Sequence, residues 1–348
     1  MSAGVAAALR VGVVGTGLIA GVVTAALAAS QGCRPVAVSS RQRPRARAFA
    51  AQHGLAAAYD DWRRLLDAAD IDAVYIATPT APREAIALEA ARAGKHVLAE
   101  KPFASLASLQ AITQACARHG VAFLDGTHFV HHPRSALLKA SLVERIGRVQ
   151  ALRCSFFFPT GDRSNLRYDT AQEPTGAVGD MGWYAMRAIA EFLDEPGHPA
   201  PLGRSHGALQ RDAATGAAVR AAGLMHFEGG TTATWDVGYN ADAVLQDLQL
   251  LGERGVVTLD DFVLDWAQGY MLPRPGFMAG FRQQQGLARS DQAQWVPVPA
   301  AQPASVLMAE HFARLARAPQ GAAAQAAMAT SLRTQALLDA AWAGLVMA

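Results

Sequence analysis

The stretch Val11-Gly12-Val13-Val14-Gly15-Thr16-Gly17-Leu18-Ile19-Ala20 decides the reading of this chain. A short β-prone run breaks at a Gly-x-Gly-x-x-Ala pattern and continues as a small-residue helix, which is the order strand, turn, helix. Gly15 permits a tight turn, Gly17 lets backbone N–H groups approach a pyrophosphate, and Ala20 lets helix and strand pack closely. Thr16, Leu18 and Ile19 complete the turn and the start of the helix, whose N-terminal partial charge favours an anion. The stretch predicts a dinucleotide site.

A competing reading exists, because Val11 to Cys33 carries no charge and is long enough to cross a bilayer. Its glycines, with Thr24, Ser30 and Gln31, oppose a lipid-facing helix. The segment also lacks the basic start and cleavage site of a secretory signal.

Downstream, Val36-Ala37-Val38-Ser39 predicts the second strand, ending in Ser40-Arg41. An acid at such a position would accept from the ribose hydroxyls of NAD. Here Ser40 and Arg41 offer a hydroxyl and a planar cation instead, which suit a 2′-phosphate; Arg43, Arg45 and Arg47 follow, and Arg45 adds to that field. The plain alternative is a solvated first turn of the next helix. The expected cofactor is NADP(H), with NAD(H) second.

Length and composition set the frame. The 348 residues, 51% hydrophobic, are enough for two domains with substantial cores. A net charge of +2, with no basic block or basic amphipathic helix, argues against nucleic acid and membrane surfaces as partners and leaves a small-molecule substrate. Cys33, Cys116 and Cys154 are isolated, which predicts free thiols in a reducing compartment, the cytoplasm.

The predicted fold is α/β followed by α+β. Residues 1–125 form a doubly wound parallel sheet, with strands at Ala73–Ala77, His96–Ala99 and Val121–Leu124 and helices ending near Ala93 and His119. Residues 126–348 form a substrate-binding and oligomerisation domain: a helix Ser135–Arg145, then a large, mainly antiparallel open sheet covered by helices on one face. Its strands are expected near Val149–Phe158, Val219–Phe227, Thr231–Tyr239, Leu245–Leu251 and Val256–Leu259. Trp235 and Tyr239 are expected on the free face, as part of a surface that makes a homodimer or a dimer of dimers. Pro273–Gln302 is expected to be loop. Helices near Pro303–Ala316 and Ala327–Val346 close the chain, with the option of packing back on the first domain.

Two clusters carry chemistry. Glu100-Lys101-Pro102 sits at the C-terminal end of a predicted strand, where ligands of open parallel sheets bind, and a Thr78-Pro79-Thr80-Ala81-Pro82 turn follows the Ala73–Ala77 strand. An ammonium at Lys101 can stabilise an alkoxide and lower the pKa of a nearby acid. In Gly179-Asp180-Met181-Gly182-Trp183-Tyr184, the four-residue spacing puts the Asp180 carboxylate and the Tyr184 phenol on one helix face. A phenol titrates near ~10 in water, and a cation beside it brings it into a working range. The plain alternatives are a surface lysine, a helix cap and a core tyrosine. Trp183 is read either as a stacking surface for a sugar ring or as core. His128, His131 and His132 are close enough in sequence to suggest a metal, but no acid or cysteine completes a tetrahedral set, so no metal is expected and His128 is read as lining the substrate pocket.

Together these motifs make the chain similar to the glucose-fructose oxidoreductase and inositol dehydrogenase family, known as Gfo/Idh/MocA. The resemblance rests on Gly15-x-Gly17-x-x-Ala20, Ser40-Arg41, the Asp72–Pro79 strand and turn, Ala93–Pro102 and Asp180–Tyr184. It implies that Lys101 is the catalytic lysine, in a Lys-Pro bond that is often cis. It implies that Tyr184 is the general acid/base and that Asp180 orients the substrate. Ala77, Thr78, Pro79 and Glu100 then join Lys101 along the cofactor, and Arg167 is a candidate for substrate contact or a loop-fixing ion pair. Tyrosine at 184, where inositol dehydrogenase-like members carry histidine, is similar to glucose-fructose oxidoreductase, NADP-dependent xylose dehydrogenases and dimeric dihydrodiol dehydrogenase. Three positions depart from the common pattern: Thr80 and Arg83 replace Asn and His, and Val130 replaces an arginine. The implied function is NADP(H)-dependent hydride transfer at an alcohol or carbonyl carbon of a sugar-like, cyclic polyol or dihydrodiol substrate. A tightly bound, recycled cofactor and a non-catalytic NADP-sensing regulator are the alternatives.

Overall fold

A computed structural model of the chain describes residues 7–68, 70–195, 197–264 and 276–347. It divides into two compact units, the chain up to His128 with Ser305–Ser331, and Phe129–Ala304 with the chain from Leu332 on.

The first unit alternates β1 (Leu9–Val14), α1 (Leu18–Ala29), β2 (Cys33–Ser39), α2 (Arg43–His53), β3 (Ala57–Tyr59), α3 (Trp62–Leu66), β4 (Ala73–Ile76), α4 (Thr80–Arg92), β5 (His96–Ala99), α5 (Leu106–Arg118) and β6 (Phe123–Asp125). Its strands are parallel in the order β3-β2-β1-β4-β5-β6. Strands covered on both faces need continuous apolar runs, and every residue of β4 is buried. Strand order reverses between β1 and β4, which opens the crevice at the carboxyl ends where ligands of such sheets bind.

The second unit continues with α6 (Pro133–Ile146), β7 (Val149–Phe157), α7 (Gly176–Asp180), α8 (Gly182–Phe192), β8 (Leu202–Arg211), β9 (Ala218–Phe227), β10 (Thr232–Gly238), β11 (Leu245–Gly252), β12 (Gly255–Leu259), β13 (Gly280–Gln285) and β14 (Gln294–Pro297). After α9 (Ala304–Arg317) and α10 (Ala322–Ala343) the chain ends on β15 (Leu345–Met347). The described strands form one nine-stranded sheet, β14-β13-β12-β11-β7-β10-β9-β8-β15. Pairing is antiparallel except at β7–β10 and β8–β15. Helices α6, α7 and α8 pack on this sheet. The guanidinium of Arg134 on α6 is buried against the Asp261 carboxylate at 2.7 Å and also donates to the carbonyls of Asp261 and Gly280. Those extra bonds compensate for removing both charges from water.

Helix α9 belongs to the first unit, where Met308, Phe312 and Leu315 join Leu27, Val38 and Leu98 in one core. On α10, Ser331 donates to the buried Asp125 carboxylate at 2.5 Å.

Several expectations are corrected. Trp235 and Tyr239 are each 2% exposed and not on a free sheet face. The Trp235 ring covers Gly223, where a Cβ would come within 2.5 Å of it, so the glycine is what admits the indole. Of the segment expected as loop, 273–275 lie outside the described residues, and the rest contains β13 and β14. Helix α10 starts at Ala322 and ends at Ala343, and Leu345–Met347 form a strand beside β8.

Candidate active site

The turn after β1 closes tightly on the start of the loop after β4. Gly15 has φ +117, and a Cβ on it would come within 2.6 Å of the Ala77 carbonyl oxygen, so the position admits only glycine without a shift. Its N–H donates to Ser39 at 3.0 Å, and Ala77 N–H donates to Val14 at 2.8 Å. Gly17, by contrast, faces open space and begins α1 with no side-chain cap and no acid in the first turn. Uncapped N–H groups at the head of a twelve-residue helix invite an anion. Leu18 is 69% exposed beside them, while Ile19 packs against the core.

Thr16 and Ser40 are within 3.4 Å through their hydroxyls, which brings the glycine turn beside the end of β2. Arg41 and Arg45 are exposed just beyond, Arg45 in the first turn of α2, whereas Arg43 reaches Asp60 at 3.9 Å. Thr78 Oγ1 is buried without a hydrogen-bond partner. A buried orphan hydroxyl, an uncapped helix and a glycine with open space in front are what a dinucleotide would satisfy, so the residues fit the expected cofactor.

Lys101 lies between two fixed neighbours. Before it, Glu100 is buried, accepts from the Tyr75 hydroxyl at 2.8 Å and leaves no room for a Cβ at Gly126, which would fall 2.7 Å from Oε1. Burial pushes the Glu100 carboxyl up, while Lys101, Tyr75 and Arg83 oppose the shift. After it, the Lys101–Pro102 bond is cis and the Pro102 carbonyl accepts from Arg83. Lys101 itself is half-buried. His128 is buried, and its imidazole is pushed down to about 4, first by burial and then by the Lys101 charge. It is therefore a neutral hydrogen-bonding group at neutral pH.

In the second unit, Asp180 is the focus. Arg167 Nε donates to its Oδ2 at 2.6 Å, and the Tyr239 hydroxyl donates to the same oxygen at 3.3 Å. Arg167 thus takes the ion-pair role of its two expected ones. Tyr184 is half-buried, with ring centroids of Phe156 at 5.3 Å and Phe129 at 6.2 Å. The expectation that Asp180 and Tyr184 share one helix is corrected. Asp180 ends α7, Met181 is the joint, and Tyr184 lies in the first turn of α8, its N–H bonded to the Met181 carbonyl at 3.1 Å. Trp183 is fully buried, so core packing describes it rather than sugar stacking. His132 accepts from Arg134 N–H at 3.0 Å and caps α6.

A cavity of 390 Å³ in this unit is walled by Arg163, Arg211 and Tyr239, among others. Its lining is largely self-satisfied, with Arg163 on Asp212 at 2.8 Å and Asn240 on Gln210 at 3.1 Å. Neither Lys101, Asp180 nor Tyr184 lines it.

Sequence reasoning missed Arg83, Tyr75 and Tyr239 as contributors. The signal existed for Tyr75, since a phenol in an otherwise apolar, fully buried strand needs a partner for its hydroxyl. No such signal distinguishes Tyr239.

Comparison with known proteins gives consistent results. Residues 9–127 match the family described as oxidoreductase family, NAD-binding Rossmann fold, and residues 140–258 match the GFO/IDH/MocA C-terminal domain. The chain is 33% identical over 319 residues to a dTDP-3,4-didehydro-2,6-dideoxy-alpha-D-glucose 3-reductase of Streptomyces violaceoruber, covering 90% of this chain and 87% of that enzyme. It is 30% identical over 199 residues to a D-xylose 1-dehydrogenase (NADP(+)) of Haloferax volcanii, covering 57% and 59%. A 3-ketoreductase from Actinomadura kijaniata, solved with NADP and TDP-benzene, superposes with a TM-score of 0.85 at 25% identity over 98% of both chains.

Proposed function

The chain belongs to the GFO/IDH/MocA oxidoreductase family, and on that footing we propose that it is an NADP(H)-dependent oxidoreductase interconverting a secondary alcohol and a ketone on a sugar. The observation that carries the proposal is the shared edge of the first unit. There the glycine turn, the Thr78 hydroxyl and Lys101 occupy the carboxyl ends of β1, β4 and β5.

Gly15, Thr16, Gly17, Leu18 and Ile19 would hold the pyrophosphate side of the dinucleotide, Ser40, Arg41 and Arg45 its 2′-phosphate, and Ala77, Thr78, Pro79 and Glu100 its nicotinamide side. When bound, NADP(H) accepts or supplies the hydride. The chain handles the proton. Lys101 offers its ammonium to the substrate oxygen, which carries negative charge as the alcohol gives up its proton and before the hydride leaves the carbon. Tyr184 takes that proton on its phenolate oxygen in oxidation, becoming the phenol, and in reduction the phenol returns it. Asp180, steadied by Arg167 and Tyr239, accepts from a substrate hydroxyl, and neutral His128 adds a hydrogen bond without a second cation. Arg167 serves through Asp180 in this reading.

The similarity to a dTDP-sugar 3-reductase directs the test toward keto-sugars, free and nucleotide-linked. Purified protein incubated with NADPH and a panel of keto-sugars, and with NADP⁺ and aldoses, inositols and dihydrodiols, should show turnover in nicotinamide absorbance with at least one sugar. Silence across the whole panel, with NADPH bound, would turn the assignment toward a regulatory role. Alternate residues of the large sheet, such as Ala222, Leu224 and Thr234, point away from the buried side and fit a homodimer surface. Light scattering that finds a monomer would remove that part.

A further inference from the structure

Arg83 is 3% exposed, yet it lies in the first turn of α4, at the edge where the site is built. A guanidinium so far from water is tolerated only where fixed acceptors meet its donors. Arg83 meets them on two different loops: Nη2 donates to the Thr78 carbonyl at 2.5 Å, and Nη1 donates to the Pro102 carbonyl and approaches Thr80 Oγ1 at 3.5 Å. The first loop follows β4 and the second follows β5. One planar cation therefore bridges the loop carrying Thr78 and Pro79 to the loop carrying Lys101.

We propose that Arg83 is a positioning residue for Lys101, fixing the loop from which the ammonium reaches the substrate oxygen by tying the Pro102 carbonyl to the Thr78 carbonyl. The proposal rests on the reading of Lys101 given above. Both neighbours of Lys101 then have partners: Glu100 accepts from Tyr75 and lies close against Gly126, and Pro102 accepts from Arg83. Arginine suits the task because its donors are fixed in one plane and can serve two carbonyls at once, while a lysine ammonium is a flexible point charge. The nearby Glu100 carboxylate also feels the Arg83 charge, so the bridge is electrostatically tied to the residue before Lys101.

The test compares Arg83→Met, Arg83→Gln and Arg83→Lys with the unaltered protein. Displacing a reacting group by about an ångström costs about 10²-fold. Arg83→Met is therefore expected to lower kcat about 10²-fold while NADPH affinity, followed by its fluorescence, stays within about threefold. Arg83→Lys, which keeps the charge and loses the bridge, should recover only part of the loss. A kcat within about threefold of the parent in Arg83→Met overturns the proposal, as does a parallel loss of NADPH affinity and turnover in all three variants. Hydrogen exchange gives a readout independent of turnover. The amides of Lys101 and Phe103 should exchange about tenfold faster in Arg83→Gln, a milder change that keeps one donor, while those of β1 are unchanged. Unaltered exchange at Lys101 and Phe103 overturns the proposal even if the parent protein turns over no sugar, an outcome that would count against the oxidoreductase reading alone.

Discussion

The Tyr239 hydroxyl donates to Oδ2 of Asp180, the same carboxylate oxygen that Arg167 holds. Tyr239 is fully buried, and burial together with the Asp180 charge holds its phenol well above the usual tyrosine range, so it stays a donor throughout the working pH. Removing this one donor leaves Arg167 in place. Tyr239→Phe is expected to raise KM for the sugar about tenfold, as befits a hydrogen bond to a charged group worth about 1.5 kcal/mol, with a smaller change in kcat. Steady-state kinetics decides it. An unchanged KM would mean that Asp180 does not orient substrate.

In the proposed reading, coenzyme choice rests on Ser40 and Arg41, where the loop after β2 carries no carboxylate. Charge-assisted bonds to a phosphate contribute about 1.5–3 kcal/mol, so Arg41→Ala should weaken NADP(H) binding about 10- to 100-fold and leave NAD(H) binding nearly unaltered. Arg45→Ala should have the same sign and a smaller size. Equal losses for both coenzymes would show that Arg41 acts on something other than the 2′-phosphate.

Lys101→Met removes the ammonium and keeps most of the volume. Loss of one group stabilising the charge on the reacting oxygen is expected to lower kcat by about 10²–10³, with NADPH affinity little changed. Stopped-flow traces of bound NADPH with substrate give the rate directly, and a variant as fast as its parent would remove Lys101 from the chemistry.

Where one period dominated, the sequence was legible. The first unit announces itself because buried parallel strands are continuous apolar runs and glycines mark its turns, so β4 and β5 fall where Ala73–Ile76 and His96–Ala99 place them. β8 was not legible, since Leu202–Arg211 is half polar and contains two glycines with one buried residue, a pattern that a half-covered strand near the sheet's edge can adopt only with neighbours to pair with. The Asp180–Tyr184 spacing was read as one helix because composition does not reveal the joint at Met181. Arg83 was visible as a departure from a family pattern, but nothing local to it reports that Pro102 lies within its reach.

The buried pair Arg134–Asp261 tests stability apart from chemistry. Breaking one side leaves an uncompensated buried charge, so Arg134→Met should cost about 3–5 kcal/mol, while the double change Arg134→Met with Asp261→Leu should recover much of it. Thermal unfolding of the two variants against the parent makes the comparison. A single variant as stable as its parent would show that the pair is not what holds α6 to this part of the second unit.

Acid should destabilise the chain in a defined window. Burial, with the Lys101 charge at His128 and the Arg134 charge at His132, pushes both imidazoles from 6.5 down to about 4, so the folded chain keeps them neutral where the unfolded chain would protonate them. Above pH 6.5 neither state binds these protons and stability is indifferent to them. Below it the unfolded state binds more, so stability falls with pH by up to about 1.4 kcal/mol per pH unit for each imidazole until the folded pKa is reached. Glu100 works in the opposite direction, because its raised pKa makes the folded state take up a proton first, while His96, its imidazole also pushed down by burial, adds to the fall. Substitution separates His128 and His132 from these groups, since replacing either imidazole by an amide removes only its own contribution. Urea unfolding between about pH 6.5 and about pH 5.5 should show a midpoint that falls less in His132→Asn than in the parent, at constant slope, and an equal change in both would mean that His132 is not held neutral by the fold.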